Sequence, residues 1–136
     1  MMPQAFFTLG LNVAIKNFIE KIDSRGLQFH FKATGGPEDV EINTQVMAYR
    51  ILQEGVQNIL KHAKASKVDI SIIYTNGDMD ITLEDNGVGS DNSLLSEGAG
   101  MKSMRSRIEV LNGTMEIQST PGNGTAITLF IPVKQS

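Results

Sequence analysis

The sequence predicts an α+β fold: a two-layer α/β sandwich, in which three helices cover one face of a mainly antiparallel sheet. Three observations carry that expectation. Residues 67 to 85 contain two runs of alternating apolar and polar residues around Asn76-Gly77, the signature of a hairpin with a tight turn. Three other segments repeat apolar residues at three- and four-residue spacing, as helices with one buried face do. The C-terminal part returns to alternation around Pro121-Gly122-Asn123-Gly124, a second turn between two strands.

Taken in order, the first helix is expected from Pro3 to about Ser24. It carries Phe7, Leu11, Ala14, Phe18 and Ile22 on one side and is closed by Gly26. Leu27, Phe29, Phe31 and Ala33 then alternate with Gln28, His30 and Lys32 in a half-buried strand that turns His30 outward and breaks at Thr34-Gly35-Gly36-Pro37. A second helix is expected from an N-cap at Asn43 to about Ala65, with Val46, Tyr49, Leu52, Val56, Ile59 and Ala63 inward. After the hairpin, residues 86 to 100 are rich in Gly, Ser, Asp and Asn, long for a connection without a function, and a candidate lid. The third helix follows with Met101, Met104, Ile108 and Leu111, and Gly113 is expected in the left-handed position that ends it. Strands from Thr114 to Thr120 and Thr125 to Val133 complete the sheet, and neither an internal repeat nor a second domain is visible. Met47, Met104 and Met115 read as core gap-fillers, and Met101, beside the loop, is excepted as a candidate ligand contact.

Composition narrows the function. At 136 residues a core can form without staples, and the absence of cysteine excludes disulfides, a thiolate nucleophile and cysteine-ligated zinc or iron-sulfur sites. This usage fits a reducing, cytosolic environment. Two isolated histidines do not make a His-rich metal site. No run approaches the roughly 20 apolar residues of a membrane span, and no signal-peptide pattern opens the chain. Twelve basic against 15 acidic residues leave no footprint for a polyanion, so nucleic acid is not an expected partner.

Three groups of residues look chemical. Gly-x-Gly pairs stand at Gly87/Gly89, Gly98/Gly100 and Gly122/Gly124. Among 13 glycines about one such pair would arise by chance, so position matters more than number. Gly87 follows a strand end and Gly100 opens a helix, where bare backbone N–H groups can meet an anion; ordinary turn glycines would look the same. Arg50, Glu54, Asn58 and Lys61, with His62 beside them, share one helical stripe opposite the core face. A carboxylate, an amide and an ammonium there can polarise a water, give an oxygen to Mg2+ and meet a phosphate. A solvated face with i,i+4 pairs is the plain alternative. Gly55 argues against it, since an internal helix glycine costs roughly 1 kcal/mol relative to Ala and implies a close approach. Asp85 continues the inward phase of Met79, Ile81 and Leu83, so its carboxylate needs a partner. That partner is either a ligand donor or the backbone of its own Asp-Asn-Gly turn.

In order, Arg50-Ile-Leu-Gln-Glu54-Gly-Val-Gln-Asn58-Ile-Leu-Lys61-His62-Ala, Asp85-Asn86-Gly87-Val-Gly89, Gly98-Ala-Gly100-Met101 and Gly122-Asn-Gly124-Thr125 resemble the N box and three glycine boxes of the ATP-binding domain of two-component sensor histidine kinases. The resemblance spans residues 43 to 133. Gln53-Glu54, Lys61-His62-Ala63 and Met104-Arg105-Ser-Arg107 are most similar to its nitrate-sensor and lipid-fluidity-sensor branch, within the wider GHKL class shared with gyrase, heat-shock chaperone and mismatch-repair ATPases. It implies a mixed-sheet sandwich with ATP-Mg2+ between the helices under a lid at residues 89 to 100. Asp85 would accept the adenine amino hydrogen, with Thr125 helping through water, and Gly87 and Gly89 would let the base approach. Asn58 would hold Mg2+, Lys61 and His62 would contact phosphates or ribose, and Gly98, Gly100 and Met101 would border the phosphates. Glu54 would be the base or water-orienting residue.

The sequence departs from the family pattern at Met101, where Leu is commonest, and at Ser90, where an aromatic often stands. No phosphoacceptor histidine is visible, because His30 lies in a strand pattern and His62 in the N box. The resemblance therefore implies residues 1–26 as the end of a dimerisation region with its connecting helix, and 27–136 as the catalytic domain. It implies transfer of the γ-phosphoryl group to a histidine on a separate dimerisation domain, and indirectly to a response regulator. The parent would be a homodimer, with this domain on the cytoplasmic side whether or not that parent is membrane-anchored. Two other activities suit the same fold. A nucleotide-sensing, non-catalytic module is disfavoured by intact Glu54, Asn58 and Lys61. An anti-sigma-type serine kinase, expected as a free-standing domain, is disfavoured by Phe6 and Phe7 on the first helix, which suggest a dimeric parent.

Overall fold

The computed structural model describes residues 10–22, 26–89 and 99–133, and at positions 62, 63, 99 and 100 the backbone alone. The elements are α1 (Gly10–Lys21), β1 (Gln28–Thr34), α2 (Ile42–Asn58) continued by a π turn (Ile59–Ala63), β2 (Lys67–Thr75), β3 (Asp78–Asp85), α3 (Ala99–Val110), β4 (Thr114–Ser119) and β5 (Thr125–Pro132). The five strands form one sheet in the order β1-β2-β3-β5-β4. Only β1 and β2 run parallel, with Gln28 opposite Lys67; the other three pairings are antiparallel. The expected hairpin closes at Asn76-Gly77, with Gly77 at φ 103°. Among the described residues no helix is long and apolar enough to cross a membrane.

Strand alternation places one set of side chains under the helices. Val68, Ile70 and Ile72 of β2, Met79, Ile81 and Leu83 of β3, and Ile127, Leu129 and Ile131 of β5 are buried against Ala48, Ile51, Leu52 and Val56 of α2 and Met101, Met104 and Ile108 of α3. The opposite phase, including His30, Lys32 and Glu84, is exposed, so the outward direction expected for His30 holds. The first helix shares this core: Leu11, Ala14 and Ile15 are buried in it, and Phe18 meets Tyr49 edge to face at 6.0 Å. A buried glutamine joins the two helices. Gln45 accepts the Leu11 N–H through Oε1 (3.0 Å) and donates through Nε2 to the carbonyls of Val40 (2.8 Å) and Pro37 (3.3 Å), completing hydrogen bonds that a buried amide requires.

Three local expectations are corrected. The N-cap of α2 is Glu41 rather than Asn43, and its side chain makes no capping bond. The helix does not run on to Ala65: from Ile59 it widens into the π turn and stops at Lys64, which takes the left-handed conformation at φ 51°. At the end of α3 the left-handed residue is Asn112 (φ 58°), not Gly113. Asn tolerates that conformation through its short polar side chain, and Gly113 serves another need, since a Cβ there would lie 2.6 Å from the Phe130 carbonyl oxygen. The described part of α1 covers Gly10–Lys21, so residues 3–9 of the expected helix, with Phe6 and Phe7, lie outside the described residues.

Topology gathers the functional elements at one end of the sheet. The exit of the π turn leads into Lys67 at the start of β2, which pairs with the end of β3 through Val68 opposite Asp85. Asp85 in turn faces Thr125 at the start of β5, and Thr125 faces Ser119 at the end of β4. α3 leads into β4 at the other end, where Thr114 pairs with Phe130.

Since Ile15 is fully buried in the shared core, Ile15→Ala is expected to lower stability by about 2–5 kcal/mol, measured by urea unfolding. A loss below about 0.5 kcal/mol would mean that α1 is peripheral.

Candidate functional site at the end of the sheet

The residues after β3 are held in place by their own polar groups. Asp85, the last residue of β3, is only 6% exposed. Its Oδ1 accepts the Gly87 N–H at 2.7 Å, and the Thr125 backbone N–H also bonds to its carboxylate. Burial raises the Asp85 carboxyl above its ordinary value, and the two N–H bonds pull partly back. Of the two partners left open by the sequence, the backbone of its own turn is therefore present. Asn86 faces the other way and pins the loop to the entry of β2. Its Oδ1 accepts from the backbone N–H groups of Ser66 and Lys67, both at 2.9 Å, and its Nδ2 donates to Ser66 Oγ at 2.9 Å.

Beyond Asn86 the loop crosses the β4–β5 turn so closely that Gly89 and Gly124 have no room for a side chain. Gly89 has φ 66°, and a Cβ on it would collide with the Thr120 carbonyl oxygen. Gly124 has φ 77°, and its Cβ would collide with the Asp85 carbonyl oxygen. Gly122 donates its N–H to Val88 at 2.6 Å. Glycine at 89 and 124 is thus required by backbone crossing backbone, whatever else the loop does. On the far side, Thr125 Oγ1 and Ser119 Oγ lie 2.8 Å apart, and Ser119 Oγ also donates to the Gly124 carbonyl at 3.1 Å.

The polar stripe of α2 leads to the same place. Gly55 sits against the sheet and α3: a Cβ there would lie 2.5 Å from Leu83 Cδ2 and 3.4 Å from Met104 Cε. The close approach inferred from that glycine is therefore packing against Leu83, two residues before Asp85 on the same strand face. Glu54 is half-buried with its Oε2 4.0 Å from Arg107 Nη1 of α3. Asn58 is half-buried at the last position of α2, and Lys61 is exposed on the π turn. Such turns recur where helices carry functional groups, and this one changes the phase of Lys61 relative to Asn58.

Asp85, Gly87, Gly89 and Thr125 thus form one hydrogen-bonded and close-packed unit, and Glu54, Asn58 and Lys61 lie on the element beside it. Gly100 is in the first turn of α3, and Met101, 7% exposed, belongs to the core. Residues 90–98 of the candidate lid at 89 to 100, Gly98 among them, lie outside the described residues, as does the side chain of His62. Asn86, Ser119 and Arg107 had no role in the sequence reading. Their partners are 20, six and 53 positions away, and no local spacing rule links residues that only the tertiary fold brings together.

Among the described residues no cluster of three or more His, Cys, Asp or Glu could hold a metal. Mg2+ asks for less: it keeps several waters and is usually held by one or two protein oxygens together with substrate phosphates. A single amide oxygen at Asn58 fits that demand.

Residues 43–135 match the family described as histidine kinase-, DNA gyrase B- and HSP90-like ATPases. The chain is 32% identical over 127 residues to the signal transduction histidine-protein kinase/phosphatase DegS of Brevibacillus brevis, covering 92% of this chain and 33% of that protein. It is 26% identical over 136 residues to the oxygen sensor histidine kinase NreB of Staphylococcus carnosus, covering 98% and 39%. The chain thus spans roughly a third of the length of these curated relatives. The fold is that of the catalytic domain of histidine kinase ThkA (TM-score 0.73, 18% identity, 94% of this chain and 97% of that one). Acinetobacter baumannii histidine kinase AdeS gives a TM-score of 0.72 at 20% identity, over 95% of this chain and 66% of that one. With the family matched over most of its length, and a sheet end built from the same motifs that suggested it, the chain belongs to the histidine kinase-, DNA gyrase B- and HSP90-like ATPases, in the form found in sensor histidine kinases.

Proposed function

We propose that the chain binds ATP with Mg2+ and transfers the γ-phosphoryl group to a histidine on a separate dimerisation domain, within two-component signalling. The observation that carries this reading is Asp85: a buried carboxylate at a strand end, aligned by the N–H groups of Gly87 and Thr125. A carboxylate with acceptor capacity beyond two N–H bonds is suited to an exocyclic amino group, and adenine presents one. Thr125, tied to Ser119, would support that contact through water. Gly87 and Gly89 keep the loop low enough for a base to lie on it, and Met101 would close the pocket from the core side.

From that anchor the phosphates would extend toward the end of α2 and the start of α3. Lys61, with His62, would neutralise phosphate or ribose oxygens, and Gly98 and Gly100 would present N–H groups at the α3 N-terminus. Asn58 would hold Mg2+, whose chemistry when bound is to offset the charge on the phosphate oxygens. In the transfer, an imidazole nitrogen of the acceptor forms the new N–P bond. The bond from phosphorus to the bridging oxygen breaks with its electron pair on the departing ADP, and the imidazole N–H proton passes to Glu54, directly or through a water that Glu54 orients. The protein's contribution is mainly alignment and charge neutralisation.

This reading assigns residues 27–136 to the catalytic domain and places residues 1–26 at the end of a dimerisation region, now with the constraint that α1 shares the catalytic core. The remaining partners follow: the acceptor domain of a homodimeric parent, and indirectly a response regulator. A cytoplasmic location goes with them, with the parent membrane-anchored or not.

Calorimetric titration with a non-hydrolysable ATP analogue is expected to show saturable, Mg2+-sensitive binding that Asp85→Asn abolishes; equal affinity in variant and wild type would remove the pocket assignment. The same variant has a pH signature. Between the ordinary carboxyl value of 3.8 and Asp85's raised one, the folded state keeps a proton that the unfolded chain has lost. Wild-type stability relative to Asp85→Asn should therefore fall as pH rises through that window and level off above it, in urea titrations from about pH 3 to about pH 7. Glu54→Gln is expected to bind nucleotide normally and lose about 100-fold or more in transfer to a supplied acceptor domain. Unchanged transfer would reject Glu54 as the base.

A further inference from the structure

We propose that Arg107 is a positioning residue for Glu54, holding the buried Oε2 side of its carboxylate by charge across the α2–α3 interface while the exposed part of the side chain takes part in the transfer. This rests on the reading of Glu54 given above and adds to it a residue for which the sequence suggested no role.

The starting point is an oxygen that lacks a hydrogen bond. Glu54 Oε2 is buried and accepts none from the described residues. A buried carboxylate oxygen without a donor is costly, and stable folds seldom leave one. Arg107 Nη1, at 4.0 Å, is near enough to offset the negative charge and too far to donate a hydrogen bond. A purely structural arginine would be expected to close on the carboxylate with two parallel N–H bonds. Here attraction is present without a hydrogen bond, so the charge on the buried Oε2 is offset while the carboxylate is not locked into a bidentate pair.

Packing explains why Arg107 reaches Glu54. Gly55, the next residue, lets α2 settle against Leu83 and Met104. On α3, Met104 and Arg107 are three apart and lie on one side of the helix. The contact at Gly55 therefore carries the guanidinium up to the carboxylate one turn along. Arginine suits the task because it stays charged at every working pH. Glu54 and Arg107 are both partly exposed, with side-chain exposures of 27% and 37%, so an acceptor group approaching from solvent can reach the part of Glu54 that lies outside the buried Oε2.

The test uses the chain with Arg107→Ala, Arg107→Lys, Glu54→Gln and the double variant Glu54→Gln/Arg107→Ala. Affinity for a non-hydrolysable ATP analogue is read by calorimetry, and transfer to a histidine-bearing dimerisation domain is read at saturating ATP. The expected result is that Arg107→Ala changes affinity by less than about 3-fold and slows transfer by about 10-fold or more, that Arg107→Lys recovers most of the rate, and that the double variant is no slower than Glu54→Gln alone. Wild-type transfer by Arg107→Ala, or a double variant slowed by the product of the two single effects, overturns the proposal. If Arg107→Ala fails while Glu54→Gln is slow, this inference alone falls. If Glu54→Gln transfers at the wild-type rate, the underlying reading of Glu54 falls and takes this one with it. A double-mutant cycle on urea unfolding needs no acceptor domain: the two side chains are expected to couple, and a coupling of zero also overturns the pairing.

Discussion

The site depends on one steric constraint, the crossing of two backbone segments where the loop after β3 passes the β4–β5 turn. At that crossing Gly89 and Gly124 each come so close to a carbonyl of the other segment that a methyl group could not be added. Everything chemical at the sheet end is referenced to it. Asp85 lies at the start of the crossing loop, Thr125 at the end of the crossing turn, and the hydrogen bond from the Thr125 N–H to the Asp85 carboxylate spans the two. Asn86 then ties the same loop to Ser66 and Lys67, just beyond the π turn. The carboxylate and the end of α2 are thus parts of one rigid frame, and preorganisation of this kind lets a pocket bind without first ordering itself.

Much of the fold was legible because its elements obey their periods. Every strand alternates, the hairpin turn is Asn-Gly, and Leu83 and Asp85 point inward as a period of two demands. Gly55 announced a close contact, although the neighbour proved to be Leu83 rather than a ligand. The ends of the helices were less legible. The π turn at Ile59–Ala63 has no composition cue, since its residues continue an acceptable α pattern. Asn112 and Gly113 are both permitted in the left-handed region, and the choice between them is decided by the Phe130 carbonyl, a neighbour remote in sequence.

For the site, spacing identified the residues but not always the reasons for them. The glycines of the first and third boxes read equally as turn residues or as room for a ligand. The structure supplies a third reason at 89 and 124, mutual backbone clearance. Asp85 read as partnered either by a ligand or by its own turn, and it makes the turn contact while keeping acceptor capacity beyond it. Gln45 was invisible in this sense: nothing in a helical pattern says that an amide will be buried to join α1, α2 and the connection at Pro37–Val40.

The strand order carries a consequence for how the domain comes into being. In the order β1-β2-β3-β5-β4, the fifth strand inserts between the third and the fourth. Until it arrives, β3 has an open edge and β4 has no partner in the sheet. A chain whose fifth strand is not yet in place therefore presents the strand ending in Asp85 as an unpaired edge. Unpaired edges of this kind invite association with other chains. Sealing that edge takes residues 125–132, so the pairing that brings Thr125 to Asp85 is also the one that leaves β3 without a free edge.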